Sequence, residues 1–273
     1  NDSLFAGNNS SQGKIMKTLR GAKNSVVKLG IKRSTSQDLL YFNVTRGDVP
    51  VNSVDVAYVV REGVGYIKVN KFARTTYNEF ITAIAKLKQQ NCKSFIIDLR
   101  GNTGGYMDAA INMINEFMAN GRLIVYTEGK AFPRNDVYAN GTGTCQDAPI
   151  VVLTDEFSGS ASEIFAGAIQ DNDRGLIIGR RTYGKGLVQS QIPLSDGSAL
   201  RLTIARYYTP SGRCIQKDYE LGKTDEYDQD LFNRFMHGEF DSADSIKINN
   251  SLKYQTSLGR TVYGGGGIMP DIF

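Results

Sequence analysis

Two residues of this sequence have types and surroundings suited to acyl-transfer chemistry. Ser160 lies in S-G-S-A-S-E-I-F-A-G-A-I-Q-D, and Lys185, 25 residues later, lies in T-Y-G-K-G-L-V-Q. A serine becomes a nucleophile when a neighbouring base takes its proton, and that base is a histidine in Ser-His-Asp triads or a lysine in the Ser-Lys variant. The single histidine, His237, lies in D-L-F-N-R-F-M-H-G-E-F, a stretch without catalytic surroundings. The sequence therefore predicts that a nucleophilic Ser160 would use a lysine as its base.

The environment of Lys185 decides whether it can act as that base. A solvated lysine stays protonated near neutral pH, so burial must lower its pKa toward about 7–8. Lys185 has a glycine on each side and the apolar pair L-V close behind it, which favours burial. Gln189, four residues on, is placed to hold the amine without adding charge. The alternative for Lys185 is a solvated surface charge, which is the usual state of a lysine.

Backbone donors for an oxyanion are also predicted near Ser160. The serine is expected at the start of a helix, where unpaired N–H groups and the positive end of the dipole would stabilise a tetrahedral intermediate. Gly104 and Gly105 end the segment D-L-R-G-N-T-G-G, and glycines there allow a backbone N–H to approach a ligand closely. The alternatives are a helix cap at the serine and a tight turn at the two glycines.

Three further polar residues are candidates for supporting roles. Asp171 ends the predicted helix, and it either orients the lysine or pairs with Arg174 or Arg180. Glu163 and Thr182 are positioned to support the site, and both also fit ordinary helix and turn positions.

Composition excludes several classes of function. The 273 residues are 41% hydrophobic and 22% charged, which is typical of a globular domain. A net charge of +4 with no long basic run does not indicate a nucleic-acid partner. No apolar run approaches the roughly 18 residues that a membrane span needs. The three cysteines (Cys92, Cys145 and Cys214) are odd in number and lack the spacing of a metal site, so neither a disulfide framework nor a metal nor a cofactor is expected.

The first 48 residues form a small predicted unit. A helix is predicted at Lys14–Gly21 and strands at Val26–Ile31 and Leu39–Val44, which are too few elements to bury a core alone. The segment Arg46–Ser53 contains Gly and Pro and is predicted to be a linker.

From Val54 onward, strands alternate with helices. Three short apolar strands, F-I-I-D-L, L-I-V-Y and I-V-V-L, each lie next to a helix, which favours a mostly parallel sheet covered by helices. Residues 217–255 are polar and are predicted to be an insertion, with Tyr219–Gln229 on the surface. The predicted strands are Val56–Val60, Tyr66–Val69, Ser94–Leu99, Leu123–Tyr126, Ile150–Leu153, Leu176–Ile178 and Arg201–Tyr207, and the predicted helices are Thr76–Gln89, Met107–Asn120 and Ser160–Gln170.

Five motifs in order resemble the carboxyl-terminal processing, or tail-specific, proteases. They are the serine, lysine and glycine segments quoted above together with Y-T-P-S-G-R-C-I-Q and V-Y-G-G-G-G-I-M-P-D-I, and they span Asp98 to Ile272. The resemblance implies a serine endopeptidase that cleaves proteins near their C-termini, on an α/β core of the ClpP/crotonase type. The serine segment differs from the fuller S-A-S-A-S-E run of the family by a glycine, Gly159.

The resemblance also assigns roles by position. Ser160 corresponds to the nucleophile, Lys185 to the base and Gln189 to the group that orients the base. The oxyanion hole would use backbone N–H groups of Ala161 or Ser160 and of Gly104 or Gly105. Asp171, Glu163 and Thr182 fall on supporting positions, and the expected partner is a protein or peptide substrate bound through its C-terminal region.

Residues 1–48 resemble the second half of the PDZ domain that these proteases carry. The chain is therefore expected to be a truncated PDZ half-domain followed by a protease core at residues 49–273. The family resemblance implies a periplasmic or exported protein of the cell envelope, and the sequence indicates no oligomeric state.

Two alternative functions fit parts of the sequence. A catalytically impaired or resting peptide-binding module would keep the same fold, since fold does not fix function. A crotonase-type acyl-CoA enzyme would need a carboxylate at the site and a CoA pocket, and no signature of either is present.

Overall fold

The chain divides into two units, Asn1–Val51 and Asn52–Phe273. The computed structural model describes residues 10–48, 51–219, 222 and 224–273. The first unit holds helix α1 (Gln12–Leu19) and an antiparallel hairpin of β1 (Val26–Ile31) and β2 (Leu40–Thr45). These bounds lie within two residues of the predicted ones. The PDZ assignment stays a prediction, and its first segment, N-D-S-L-F-A-G, lies outside the described residues.

The second unit contains the elements that carry the candidate site. Its elements are β3 (Val56–Arg61), β4 (Val64–Lys68), α2 (Thr76–Gln89), β5 (Ser94–Asp98), α3 (Met107–Asn115), β6 (Leu123–Gly129), β7 (Phe132–Tyr138), β8 (Ile150–Thr154), α4 (Ala161–Asp171), β9 (Leu176–Gly179), β10 (Leu187–Pro193), β11 (Ala199–Tyr208), α5 (Thr224–Met236), β12 (Lys253–Gln255) and β13 (Thr261–Tyr263). Two short 3-10 helices lie at Ala243–Ser245 and Asn250–Leu252, and β12 and β13 pair with each other.

A mostly parallel sheet lies at the centre of this unit, as the apolar strands predict. Its order is β3-β4-β5-β8-β9, with β4, β5, β8 and β9 parallel and β3 antiparallel at the edge. Ile67, Ile97, Val152 and Ile177, one from each parallel strand, are fully buried. Parallel strands are stable where both faces are covered, and the apolar runs supply that burial. The predicted α/β class is therefore confirmed.

A second, antiparallel sheet has the order β10-β11-β6-β7. The prediction that L-I-V-Y joins the parallel sheet was wrong, because this segment is β6 and pairs with β7 and β11. An apolar run indicates that a strand is buried but not which strand it pairs with. Strands β7 and β10 were not predicted, since polar residues interrupt both and most of their residues are exposed or only partly buried.

Helix α4 follows Ser160 and lies inside the unit. All 11 of its residues are buried, and it contacts α3, β6 and β9. Phe165 packs edge-on against Phe117 with ring centroids 6.5 Å apart. Gly167 permits close packing, because a Cβ there would lie 2.6 Å from Thr209 Cγ2. The start of α4 is therefore fixed by the core.

Residues 217–255 contain a helix that the sequence did not predict. Arg234 of α5 is buried and donates to the carbonyls of Arg181 at 2.7 Å and Thr182 at 3.0 Å. It also pairs with Glu239 at 2.9 Å. The hydrophobic pattern missed α5 because a buried arginine, rather than an apolar stripe, attaches it. Within the predicted insertion, residues 220, 221 and 223 lie outside the described residues.

Asp98, at the end of β5, makes stability depend on acid pH. Burial raises the pKa of this carboxyl, but hydrogen bonds from Arg100 and Tyr66 outweigh it and lower the pKa from 3.8 to about 2. The folded value lies below the unfolded one, so the stabilisation is present above pH ~4 and disappears as the pH falls toward 2, and it amounts to about 2 kcal/mol. Asp98→Asn is expected to lower the free energy of unfolding at neutral pH. Below about pH 4, the free energy of unfolding of the variant is expected to change less with pH than that of the parent. Denaturant titrations from neutral pH to about pH 2.5 measure this. Parallel curves for parent and variant would contradict it.

Candidate active site

Ser160 occupies a strained backbone position between β8 and α4. Its φ is 57° and its ψ is −114°, and a positive φ is uncommon for a residue with a side chain. Its N–H donates to Glu163 Oε2 at 2.8 Å, and its carbonyl accepts from the Tyr207 hydroxyl at 2.9 Å. Such conformations persist where the surroundings hold them, and they cluster at active sites.

A cleft of about 520 Å³ brings the predicted catalytic residues together. Ser160, Lys185 and Gln189 all line it. Its cations are Lys185 and Arg201, and no Asp or Glu is among its lining residues in the described part of the chain. The apolar and aromatic wall consists of Phe72, Tyr106, Met107, Ile164, Leu187, Val188 and Tyr207.

Lys185 has a fixed backbone and a side-chain amine without a partner among the described residues. The residue is half-buried, and its N–H donates to Glu163 Oε2 at 2.8 Å. Within residues 10–48, 51–219, 222 and 224–273, Lys185 Nζ makes no hydrogen bond or ion pair, with Ser160 Oγ or with any other group. Gln189 is exposed, and its side chain makes no hydrogen bond to Lys185. The structure therefore places the two side chains in one cleft without joining them.

Two of the four backbone donors predicted for an oxyanion are already used. The Gly104 N–H donates to Asn102 Oδ1 at 2.9 Å, and the Ser160 N–H is bound by Glu163. The N–H groups of Gly105 and Ala161 have no acceptor among the residues that the structure describes. The loop that contains Gly104 lies against the start of α4, since a Cβ added at Gly104 would be only 3.0 Å from the Ala161 nitrogen. Gly105 and Ala161 are thus the donors left for a ligand oxygen.

Glu163 connects the loop that contains Ser160 to the loop that contains Lys185. Its carboxylate is fully buried and accepts the N–H groups of Ser160 and Lys185 at 2.8 Å each. It also accepts the Gly184 N–H and the Thr182 hydroxyl, both at 2.6 Å. Burial raises the pKa of Glu163, and these four hydrogen bonds to the carboxylate oppose that rise. Glu163 and Thr182 therefore hold the backbone of the site rather than facing the cleft.

Asp171 does not support the lysine. It forms an ion pair with Arg213 at 2.7 Å, with both side chains fully buried. The predictions that Asp171 orients Lys185 or pairs with Arg174 or Arg180 were therefore wrong. Arg174 donates to backbone carbonyls, and Arg180 pairs with Glu156 at 2.9 Å. The true partner lies 42 residues from Asp171 in sequence, a separation at which a simple pattern gives no signal.

Two residues of the site were missed by the sequence prediction. Asn102 is fully buried; its side chain binds the Gly104 N–H and the Val69 carbonyl, and its own carbonyl accepts from Gly159 N–H at 3.0 Å. Tyr207 contacts the backbone of both Ser160 and Lys185. Asn102 lies inside the segment D-L-R-G-N-T-G-G, so the motif itself pointed to the residue. Tyr207 directly precedes Y-T-P-S-G-R and had no comparable signal.

The described residues show neither a metal centre nor a membrane helix. Within them, no three His, Cys, Asp or Glu side chains gather in a way that could hold a metal ion. Cys92, Cys145 and Cys214 are free thiols. Among the helices that the structure describes, none has the length and apolar character needed to cross a bilayer.

The fold is shared with a protease of known structure. The structure is similar to that of a photosystem II D1 C-terminal processing protease, with a TM-score of 0.55 and 30% sequence identity. The similarity covers 72% of this chain and 54% of that one.

Sequence comparison then gives the family. Residues 63–225 match the sequence profile of peptidase family S41, and the chain belongs to that family. The carboxyl-terminal-processing protease of Synechocystis sp. is 36% identical over 202 residues, which are 73% of this chain and 47% of that protein. The carboxy-terminal-processing protease of Bartonella bacilliformis is 38% identical over 205 residues, covering 72% of this chain and 46% of that protein. The chain thus spans about half the length of these curated relatives, and the predicted family resemblance is confirmed.

Proposed function

We propose that this chain carries the catalytic part of a serine endopeptidase that cleaves proteins near their C-termini. One observation supports this most directly. Among the described residues, a single cleft contains the strained Ser160, Lys185 with a side-chain amine that makes no hydrogen bond, and the N–H groups of Gly105 and Ala161, which have no acceptor. These are a nucleophile, a base and oxyanion donors, the three groups that peptide hydrolysis needs.

In the proposed first step, the Lys185 side chain turns toward Ser160 Oγ and takes its proton. Ser160 attacks the peptide carbonyl carbon, and the oxyanion of the tetrahedral intermediate accepts hydrogen bonds from Gly105 and Ala161. Catalytic hydrogen bonds often form only when substrate is bound, so the unjoined pair fits this sequence of events. Gln189 lines the same cleft and is proposed to orient the amine once it has turned.

The remaining steps return the enzyme to its starting state. The protonated Lys185 gives its proton to the leaving amine as the C–N bond breaks, which leaves an ester on Ser160. Lys185, neutral again, takes a proton from water, and the resulting hydroxide attacks the ester. Lys185 returns its proton to Ser160 Oγ as the C–O bond breaks, and the new carboxylic acid leaves and gives its proton to the solvent. No metal or cofactor enters these steps.

The walls of the cleft suggest how a peptide would bind. Strand β10 is at the edge of its sheet, and Gln189 and Gln191 from it line the cleft, so an extended substrate can add alongside. The wall is mostly apolar, and Arg201 adds a positive charge with no acidic neighbour in the lining. A peptide with apolar side chains and a nearby free carboxylate fits this surface.

Peptide cleavage by the chain tests the proposal. Two peptides of one apolar sequence, one with a free C-terminal carboxylate and one amidated, would be incubated with the protein and the cut sites mapped by mass spectrometry. Cleavage close to the C-terminus, faster for the free acid, is expected. Binding of both peptides without any cleavage would favour the alternative of a peptide-binding module and would sink the proposed function.

Location in the cell envelope, as a periplasmic or exported protein, is also proposed, and family resemblance alone supports it. Fractionation of cells that produce the whole protein tests this. Recovery in the cytoplasm would contradict it.

A further inference from the structure

The hydroxyl of Tyr207 lies between the backbones of the two proposed catalytic residues. The ring is buried near the end of β11, with 2% of its surface exposed. Its hydroxyl oxygen lies 2.9 Å from the Ser160 carbonyl and also contacts the Lys185 carbonyl. A single side-chain group therefore reaches the carbonyls of residues that are 25 positions apart in sequence.

Glu163 makes the matching connection on the amide side. Its Oε2 atom accepts the N–H of Ser160 and the N–H of Lys185, both at 2.8 Å. The peptide groups of Ser160 and Lys185 are thus linked twice, once by an acceptor and once by a donor. Glu163 cannot replace Tyr207 in this arrangement, because a carboxylate cannot donate to a carbonyl.

The two carbonyls do not depend on Tyr207 equally. The Ser160 carbonyl also accepts from the backbone N–H groups of Glu163 at 2.8 Å and Ile164 at 3.0 Å. For the Lys185 carbonyl, the structure describes no other donor than Tyr207. Loss of the Tyr207 hydroxyl would therefore loosen the backbone at Lys185 more than the backbone at Ser160.

The backbone around Lys185 needs an external restraint of this kind. Lys185 lies between two glycines, and Gly184 has a φ of +90°. Glycine gives the chain more conformational freedom than any other residue, so the local sequence does little to fix the lysine. Burial, together with the negative charge of Glu163, raises the pKa of Tyr207 well above its usual range. The hydroxyl consequently keeps its proton and stays a donor.

We propose that Tyr207 is a positioning residue that holds Lys185 in register with Ser160, because its single hydroxyl proton is shared between the carbonyls of both in a three-centre hydrogen bond. The inference rests on the proposed function, because it assigns the residue a part in the same reaction. Tyr207 acts through the backbone of the two residues and takes no proton from the substrate. Its effect is on the turnover rate, since a displacement of about 1 Å between reacting groups can cost on the order of 100-fold in rate.

The test compares Tyr207→Phe with Tyr208→Phe in the full chain. Tyr208 is the next residue of β11, its ring stacks on Tyr126 at 4.8 Å, and its hydroxyl makes no hydrogen bond with a described residue. Both variants lose one hydroxyl and keep the ring. Tyr207→Phe is expected to lower kcat by about 10- to 100-fold with little change in KM, whereas Tyr208→Phe stays close to the parent.

Two further readouts separate positioning from loss of folding. Thermal unfolding gives the folded fraction, to which kcat is normalised. Hydrogen exchange at the Lys185 amide is expected to speed up in Tyr207→Phe and not in Tyr208→Phe. A normalised kcat equal to the parent's, or an equal loss in both variants, would overturn the inference while leaving the proposed function intact. A parent that cleaves no peptide would overturn the proposed function and this role with it.

Discussion

Replacing Ser160 with alanine is expected to lower peptide cleavage by a factor of about 10³ to 10⁶, and Lys185→Ala is expected to do the same. Without the hydroxyl there is no nucleophile, and without the amine no described side chain in the cleft is placed to take the proton. The double variant should lose no more than either single one, because residues that act as a unit have non-additive effects. Initial rates on the free-acid peptide measure this.

Two matched substitutions control for nonspecific effects. Ser190 is on β10, four residues of which line the cleft, but Ser190 does not line it and its hydroxyl makes no hydrogen bond in the described part of the chain. Lys130 lines the neighbouring cleft that Lys185 also borders. Ser190→Ala and Lys130→Ala should therefore keep the parent rate. If Lys185→Ala retained a rate similar to these controls, the lysine would not be the base.

Gly104→Ala is the second substitution for which a large effect is expected. A methyl group there would lie 2.6 Å from the Gly159 carbonyl oxygen and 2.7 Å from Ser160 Cβ, and the residue has a φ of +103°. No flexible side chain can move aside at the first of these contacts, so the serine loop must shift. Since Ala161 follows directly, both the nucleophile and an oxyanion donor would move, and a loss in kcat of about 100-fold or more is expected.

Gly101→Ala separates this clash from backbone strain. Gly101 belongs to the same loop and has a φ of +72°, but a Cβ there meets nothing within 4 Å. Both variants should lose about 1–2 kcal/mol of stability from the left-handed conformation, which thermal unfolding measures. Only Gly104→Ala should also lose most of its activity. Equal activity in the two variants would mean that the contact with Ser160 does not control its position.

The sequence predicted best those elements whose residues interact locally. Helix α2 was predicted at its observed bounds, because its apolar residues recur at helical spacing and face the core. The start of α4 was predicted within one residue. Strand β7 contains a proline and charged residues, and no hydrophobic period marks it, so it was missed. The assignment of β6 to the wrong sheet has the same cause, since strand pairing depends on residues far away in sequence.

The candidate site shows the same division. Residues of the serine, lysine and glycine motifs line one cleft. What the motifs did not give was the network that holds them. The Asp171–Arg213 pair and the contacts of Tyr207 join residues that are 22 to 47 positions apart in sequence. The motifs also did not show which glycine N–H group is available to a ligand. The Asn102 side chain decides this, because it accepts the Gly104 N–H.

Full burial of α4 and the double attachment of the Ser160 and Lys185 backbones leave little in this site to rearrange slowly. In the proposed enzyme, only the four-carbon side chain of Lys185 must rotate to bring the amine to the serine. Rotation of such a side chain takes picoseconds to nanoseconds, whereas turnover in typical enzymes takes about a millisecond to a second. Product should therefore form without a lag when substrate is added. A slow onset of activity, if one were measured, would have to originate in a part of the protein other than this pair.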